Sequence, residues 1–454
     1  MLPKTLHLTQ EQQHKNKNRM EWKSLLSAQR EYREYKKTDI RNAFQRDYDR
    51  IIFSNVFRRL QNKTQVFPLP GSQMVHNRLT HSLEVASVGR SIARIVSKTL
   101  CDKFGSDLLN EIYDIDIIVS SACLAHDLGN PPFGHSGEET ISSYFKDGPG
   151  KDLQSQIPEY QWSDLISFEG NANAFRQLTH QFAGRRPGGM SLTYATLSTL
   201  VKYPYPSYNK KKKYNYFHSE TDTFKKVMEG CGIPCLDEEK NIYARHPLSF
   251  MMEAADDICY LILDMEDAHK RGIVATQKID KFFSSFFKKE ETWFFERKES
   301  IYETVTDDNE RIAFLRATVI NKLVDCVAQV FVNNYDDIMG GSFTKNLVSH
   351  LPDFEKNAME KCRDFSLKNI YRHPSVVKVE LTGFNVIGNL VDEFVKAVLE
   401  PDKPYNKKLL SLIPEQFKNG NKDLYSQIQV VLDYISNMTD LYAVQLYKDL
   451  RGIK

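Results

Sequence analysis

The chain has 454 residues, and its 61 Lys and Arg against 59 Asp and Glu leave a formal charge of +2. That balance excludes a protein that coats polyanions by bulk charge, and it excludes an acidic solvating tail. With 41% apolar residues, among them 27 Phe and 22 Tyr, the chain is too rich in apolar side chains for disorder, so most of it is expected to pack.

Only 21 Gly and 17 Pro interrupt long runs of helix formers, and no sustained period-two alternation demands a sheet, so an all-α fold is expected. Residues 1–48 are polar and read as a helical N-terminal arm with one or two exposed helices, long enough to reach another subunit. The polar start Met1–Arg19 has no apolar leader. Leu79, Leu83, Ala86, Ile92, Ile95 and Val96 recur at helical spacing and predict a buried helix face over 79–100. The stretch 116–128 is apolar nearly all round and predicts a core helix, stopped by Gly129 with Pro131 and Pro132 behind it.

A helix is expected over 137–145. The stretch 202–216, with two prolines, five tyrosines and the lysine run Lys210–Lys213, reads as a loop whose lysines are solvated. Cys231 and Cys235 have no second pair nearby and read as plain thiols. His246-Pro247 opens a long helix to Lys270, and another is expected over 374–399. The domain reading is a core at 49–275 and a helical C-terminal region at 276–454. No uncharged apolar run reaches the roughly 18 residues of a membrane span, and seven thinly spread cysteines suit a reducing compartment. A soluble cytoplasmic protein without a membrane partner is the expectation.

Chemistry concentrates in three stretches. His126 and Asp127 are neighbours at the end of the expected core helix, where an ionic group needs a partner. A divalent metal suits both an imidazole and a carboxylate, whereas a backbone carbonyl or a helix cap would satisfy either alone. His81 stands near the start of another core helix. Asp256, Tyr260 and Asp264 fall at i, i+4 and i+8 on one helix stripe; spacing does not choose between Asp256 and Asp257. His135 and Glu138, at i and i+3, read either as a helix start with an early acid or as a histidine oriented by a carboxylate.

The order H…HD…D resembles the HD superfamily of metal-dependent phosphohydrolases. R-R-L-Q-N-K-T-Q-V-F-P-L (58–69), H-N-R-L-T-H-S-L-E-V (76–85), A-H-D-L-G-N-P-P-F-G-H-S-G-E (125–138), F-E-G-N-A-N (168–173) and E-A-A-D-D-I-C-Y (253–260) resemble its deoxyguanosine triphosphate triphosphohydrolases. The resemblance runs through about 49–270 and is much weaker beyond.

It implies an HD-type helical bundle in which His81, His126, Asp127 and Asp256 hold one divalent ion, Mn²⁺, Mg²⁺ or Fe²⁺. Asp256 is chosen over Asp257 because the family's ligand stands four residues before the tyrosine, here Tyr260. His135 is implied as the catalytic acid–base residue, oriented by Glu138. Arg78, Lys202 and Tyr203 are implied as phosphate contacts, Gln65 and Asp264 as partners of the sugar 3′-hydroxyl, and Tyr260 as the ring packed on the sugar near C2′.

The implied reaction is hydrolysis of dGTP, with other dNTPs as further substrates, to the deoxynucleoside and triphosphate by water attack at the α-phosphorus. A homo-oligomer, such as a hexamer, and single-stranded DNA as a regulator are the implied partners. The competing readings are an HD hydrolase of a nucleoside monophosphate, cyclic nucleotide or alarmone, and a nucleic-acid-binding scaffold with a vestigial metal site.

Overall fold

The computed structural model describes residues 19–32, 40–67, 75–418, 420 and 423–453. Among them the all-α expectation holds: helices make up the chain, and the one sheet is a short antiparallel pair, Cys235–Asp237 with Ile242–Tyr243. No helix among these residues is long and apolar enough to cross a membrane.

The three helices that matter most are started by local chemistry. Arg78–Phe104 opens on a reciprocal cap, in which Asn77 Oδ1 accepts from Thr80 N at 2.9 Å and Thr80 Oγ1 accepts from Asn77 N at 3.1 Å. Pro247–Lys270 and Pro374–Leu399 begin alike: a histidine cap, His246 or His373, accepts a backbone N–H through Nδ1, and proline takes the first helical position. Ile115–Ala125 is buried on all sides from Ile118 onward apart from its backbone ends, as its composition predicts.

Two hydrophobic clusters result. The first gathers Arg78–Phe104, Ile115–Ala125, Pro247–Lys270 and Asp308–Asn333 around residues such as Ile92, Val119, Ile258 and Leu323. The second gathers His135–Lys146, Glu159–Ile166, Pro374–Leu399 and Leu424–Ser436 around Phe145, Leu165, Ile387 and Ile435. Each fully buried large side chain contributes about 1.5–3 kcal/mol. Arg176 pins the clusters together with a forked bond to Asp433, Nε and Nη2 each at 2.8 Å. The turn from Ala125 to His135 therefore joins a helix of one cluster to a helix of the other.

The N-terminal stretch departs from expectation where it is described. Met20, Trp22, Leu25, Arg30, Phe44 and Asp47 are buried, so this part is no exposed arm. Trp22 Nε1 donates to Tyr335 Oη at 2.9 Å, and Arg30 is neutralised by Asp47. Its polar composition concealed a few apolar anchors and one internal ion pair. Residues 1–18 and 33–39 lie outside the described set.

Candidate metal centre and adjoining cavity

His81, His126 and Asp256 come from three separate helical segments, yet their ligand atoms lie within 4.8 Å of one another. His81 is one turn into Arg78–Phe104, Asp256 is mid-way along Pro247–Lys270, and His126 and Asp127 follow directly after Ile115–Ala125. Gly129 lets this last turn seat against the next helix: a Cβ there would stand 2.0 Å from Ala174 N and 2.1 Å from Gly170 O, so only glycine fits. Asp256, and not its neighbour Asp257, stands in this cluster; Asp257 accepts from Asn346 Nδ2 at 3.2 Å.

The protonation pattern fits a cation. His126 Nδ1 lies 2.6 Å from the Cys123 carbonyl oxygen; a carbonyl only accepts, so Nδ1 carries hydrogen and Nε2 of the neutral ring is a bare acceptor. That Nε2 is buried without a hydrogen-bond partner. It faces Asp256 Oδ1 at 3.3 Å and Asp127 Oδ1 at 3.5 Å, while His81 Nε2 stands 3.3 Å from the same Asp256 oxygen. Lone pairs converging in a buried space call for positive charge among them. Two imidazoles and two carboxylates suit a divalent ion.

The surrounding charges show what the cluster lacks. Burial lowers the His126 pKa, but Asp127 and Asp256 outweigh it and hold the value above normal, so the two carboxylates draw a proton onto this ring wherever no cation stands between them. Burial works against the ionised form of Asp127, yet Arg78, His126 and His81 keep it well below the usual carboxylate range. Asp256 is likewise depressed, with burial overcome chiefly by Lys202, whose Nζ sits 2.5 Å from Asp256 Oδ2.

Beside this cluster lies a cavity of about 280 Å³ lined by Gln65, Arg78, His135, Tyr260, Tyr371 and Glu380 among others. Arg78 joins the two spaces: Nη1 donates to Asp127 Oδ2 at 2.7 Å, while its buried Nε has no partner. Gly134, at φ +57°, gives the guanidinium room, since a Cβ there would meet Arg78 Nη2 at 2.4 Å. Gln65 Oε1 is also buried without a partner. Tyr260, 40% exposed, stacks on Tyr371 with ring centroids 5.7 Å apart.

Not every sequence-predicted residue reaches this cavity. Asp264 is buried, and its Oδ2 accepts from the Tyr371 hydroxyl at 2.7 Å; burial pushes its pKa up to about 8. Lys202 and Tyr203 lie outside the lining, Lys202 being held at Asp256. His135 is the first residue of its helix and Glu138 lies within the first turn, but no hydrogen bond joins the ring to that carboxylate. Glu138 Oε1 instead accepts from Gly170 N at 3.1 Å, and its pKa is raised by burial, against the opposing charge of Lys213. His135 is held below the ordinary imidazole value by burial and by the charges of Lys213 and Arg78.

Sequence reasoning missed several residues here. Lys213, assigned to a solvated run, turns inward, its Nζ 3.0 Å from Glu169 Oε2 and 3.9 Å from Glu138 Oε2. The one local signal is that Tyr214 and Tyr216 beside it are fully buried, which anchors that end of the run. Asp440, near the C-terminus, clamps two loops of the site: Oδ2 accepts from Thr64 N at 2.8 Å and Oδ1 from Phe133 N at 3.0 Å. Asp440→Ala leaves both buried N–H groups unpaired, so a loss of about 2–4 kcal/mol in unfolding free energy is expected from denaturant titration.

Comparison with known proteins finds two family matches. Residues 78–181 match the HD domain and residues 350–449 match the phosphohydrolase-associated domain. The chain is 38% identical over 455 residues to the deoxyguanosinetriphosphate triphosphohydrolase-like protein of Synechocystis sp., covering 96% of this chain and 100% of that one. It is 34% identical to the protein of the same description from Pseudomonas aeruginosa, covering 95% and 99%. To the deoxyguanosinetriphosphate triphosphohydrolase of Salmonella arizonae it is 29% identical, covering 92% and 95%.

Proposed function

The chain belongs to the HD-domain family of deoxyguanosinetriphosphate triphosphohydrolase-like proteins, and from that premise we propose that it hydrolyses dGTP, and other dNTPs less well, to the deoxynucleoside and inorganic triphosphate. One observation carries the reading: the buried, unpartnered Nε2 of His126 faces two carboxylates, beside a cavity that Arg78 shares.

His81, His126, Asp127 and Asp256 would hold a divalent ion, Mn²⁺, Mg²⁺ or Fe²⁺. Bound there, such an ion supplies a Lewis acid for a phosphoryl oxygen and lowers the pKa of water. The protein's own groups do the rest. Arg78 directs its unpartnered Nε at a phosphate oxygen, and Lys202 and Lys213 offset the charge of the triphosphate. Water adds to the α-phosphorus, the bond to the 5′-oxygen breaks, and His135 delivers a proton to that oxygen, so the deoxynucleoside leaves as a neutral alcohol. Gln65 Oε1 accepts the sugar 3′-hydroxyl, and the Tyr260 ring lies against C2′, where a ribose hydroxyl would collide with it.

Base choice follows from the cavity wall. Among the described residues Glu380 is the one acid that lines it, and guanine offers two adjacent donors, N1–H and the 2-amino group, where adenine offers an acceptor at N1. Glu380→Gln is therefore expected to lower the dGTP-to-dATP ratio of kcat/KM by about tenfold or more, read from steady-state rates on both substrates.

The test of the reaction is turnover of all four dNTPs and GTP with Mn²⁺ or Mg²⁺, before and after chelation, with the phosphate product separated by ion exchange. Triphosphate from dGTP, metal-dependent and absent from GTP, is the expected result. Pyrophosphate or orthophosphate as first product contradicts attack at the α-phosphorus.

A further inference from the structure

The turn from Ala125 to His135 is held at two successive carbonyls by side chains from outside it. Gly129 O accepts from Asn173 Nδ2 at 2.6 Å, and Asn130 O accepts from Lys63 Nζ at 2.5 Å. Both donor residues are buried. Lys63 Nζ also donates to Ser436 O at 2.8 Å, so one ammonium ties this turn to the end of Leu424–Ser436. Keeping a cation there is unfavourable: burial pulls the Lys63 pKa down to about 7, against the attraction of Asp440.

This anchoring fixes the Asn130 side chain. Its Nδ2 donates to Asp127 Oδ1 at 2.6 Å. An ionised carboxylate only accepts, so the amide nitrogen faces Asp127 and the amide oxygen turns away. That oxygen lies over Gly170, where a Cβ would stand 2.2 Å from it. Local backbone needs do not account for an asparagine here. Asn130 is not among the residues with positive φ, and the next helix is entered through Gly134, four residues on.

The consequence falls on Asp127. Each of its oxygens accepts from one side chain, Oδ1 from Asn130 Nδ2 and Oδ2 from Arg78 Nη1 at 2.7 Å. Two tethers at opposite corners oppose rotation of the carboxylate and leave Oδ1 a further lone pair on the side of His126 Nε2, 3.5 Å away. The tethers differ in one respect. Arg78 lines the substrate cavity and Asn130 does not, so the bond from Asn130 holds whether or not Arg78 turns to a phosphate.

We propose that Asn130 is a positioning residue, which sets the angle of the Asp127 carboxylate for a divalent ion and is itself locked by Lys63 and Asn173. The inference rests on the proposed ligand set of His81, His126, Asp127 and Asp256. A partner that orients a metal ligand carries about 10–100-fold in metal affinity.

The test is Mn²⁺ binding to the chelator-stripped full chain without substrate, with free Mn²⁺ counted by its electron paramagnetic resonance signal. Four proteins are compared: wild type, Asn130→Leu, which keeps the size and loses the donor, Asp127→Ala, and the double variant. Asn130→Leu is expected to weaken Mn²⁺ binding by about 10–100-fold. In the Asp127→Ala background the same substitution should change the affinity by no more than about twofold, because its route to the ion is gone. An asparagine that serves the fold alone would cost the same in both backgrounds.

Thermal melting in EDTA checks that each variant is folded; if Asn130→Leu is not, Asn130→Ala takes its place with the same expected loss. Unchanged Mn²⁺ affinity in the folded variant, or an equal loss with and without the Asp127 carboxylate, overturns the role of Asn130 and leaves the ligand set standing. A wild-type chain that binds no Mn²⁺ removes the ligand set, and this inference with it.

Discussion

His126→Ala is expected to lower dGTP turnover by about three orders of magnitude and to remove stoichiometric metal from the purified protein. The ring offers the one ligand atom whose lone pair is already freed and aimed, because Nδ1 is committed to the Cys123 carbonyl. Several kcal/mol of charge stabilisation in the transition state depend on the ion, and each 1.36 kcal/mol is about tenfold in rate. The fold should survive. Asp127 and Asp256 keep Arg78 and Lys202 as ion-pair partners, and the lost hydrogen bond is worth about 1 kcal/mol. Metal content, kcat and a thermal melt measured on one preparation decide it: a folded variant with a tenth or more of wild-type turnover would remove His126 from the centre.

The second large effect belongs to His135. His135→Ala is expected to reduce kcat on dGTP by about 10²–10⁴-fold, the usual contribution of a positioned acid. The loss should shrink below about tenfold with 4-nitrophenyl triphosphate, whose phenolate departs without a proton. An equal loss on both substrates contradicts the assignment. The pH dependence has a definite sign. An acid must be protonated in the free enzyme, and burial with Lys213 and Arg78 lowers the His135 pKa; kcat/KM therefore falls as pH rises through that lowered value. Lys213→Met removes one of the depressing charges and shifts this limb to higher pH. A limb that stays in place in Lys213→Met rules out His135 as the group it reports.

What could be read in the sequence was what local pattern encodes. That His81, His126 and Asp256 approach one another was legible because each sits in a short motif on or beside a helix with a clear apolar face, whereas the choice of Asp256 over Asp257 rests on the family resemblance. The boundary at Pro374 and the start at Pro247 were legible because proline and a histidine cap are local signals. What stayed hidden depends on long-range contact. Lys213 enters the site through the burial of Tyr214 and Tyr216, and Asp440 lies more than 300 residues from the loops it clamps.

Two carboxylates meet partners that their spacing does not suggest, for the same reason. The i, i+3 spacing of His135 and Glu138 suggests a bond, yet the carboxylate is claimed by Gly170 N from another helix. Asp264 shares the stripe of Asp256 but is taken by the hydroxyl of Tyr371. Composition likewise called residues 1–48 an exposed arm, because a few buried anchors such as Trp22 and Phe44 barely change an average.

The most direct measurement is anomalous diffraction from a crystal of the protein grown with Mn²⁺. One manganese per chain is expected, bound by side chains of His81, His126, Asp127 and Asp256, with Lys202 drawn off Asp256. Manganese bound elsewhere only, or His126 Nε2 found bonded to protein or water alone under saturating metal, would contradict it.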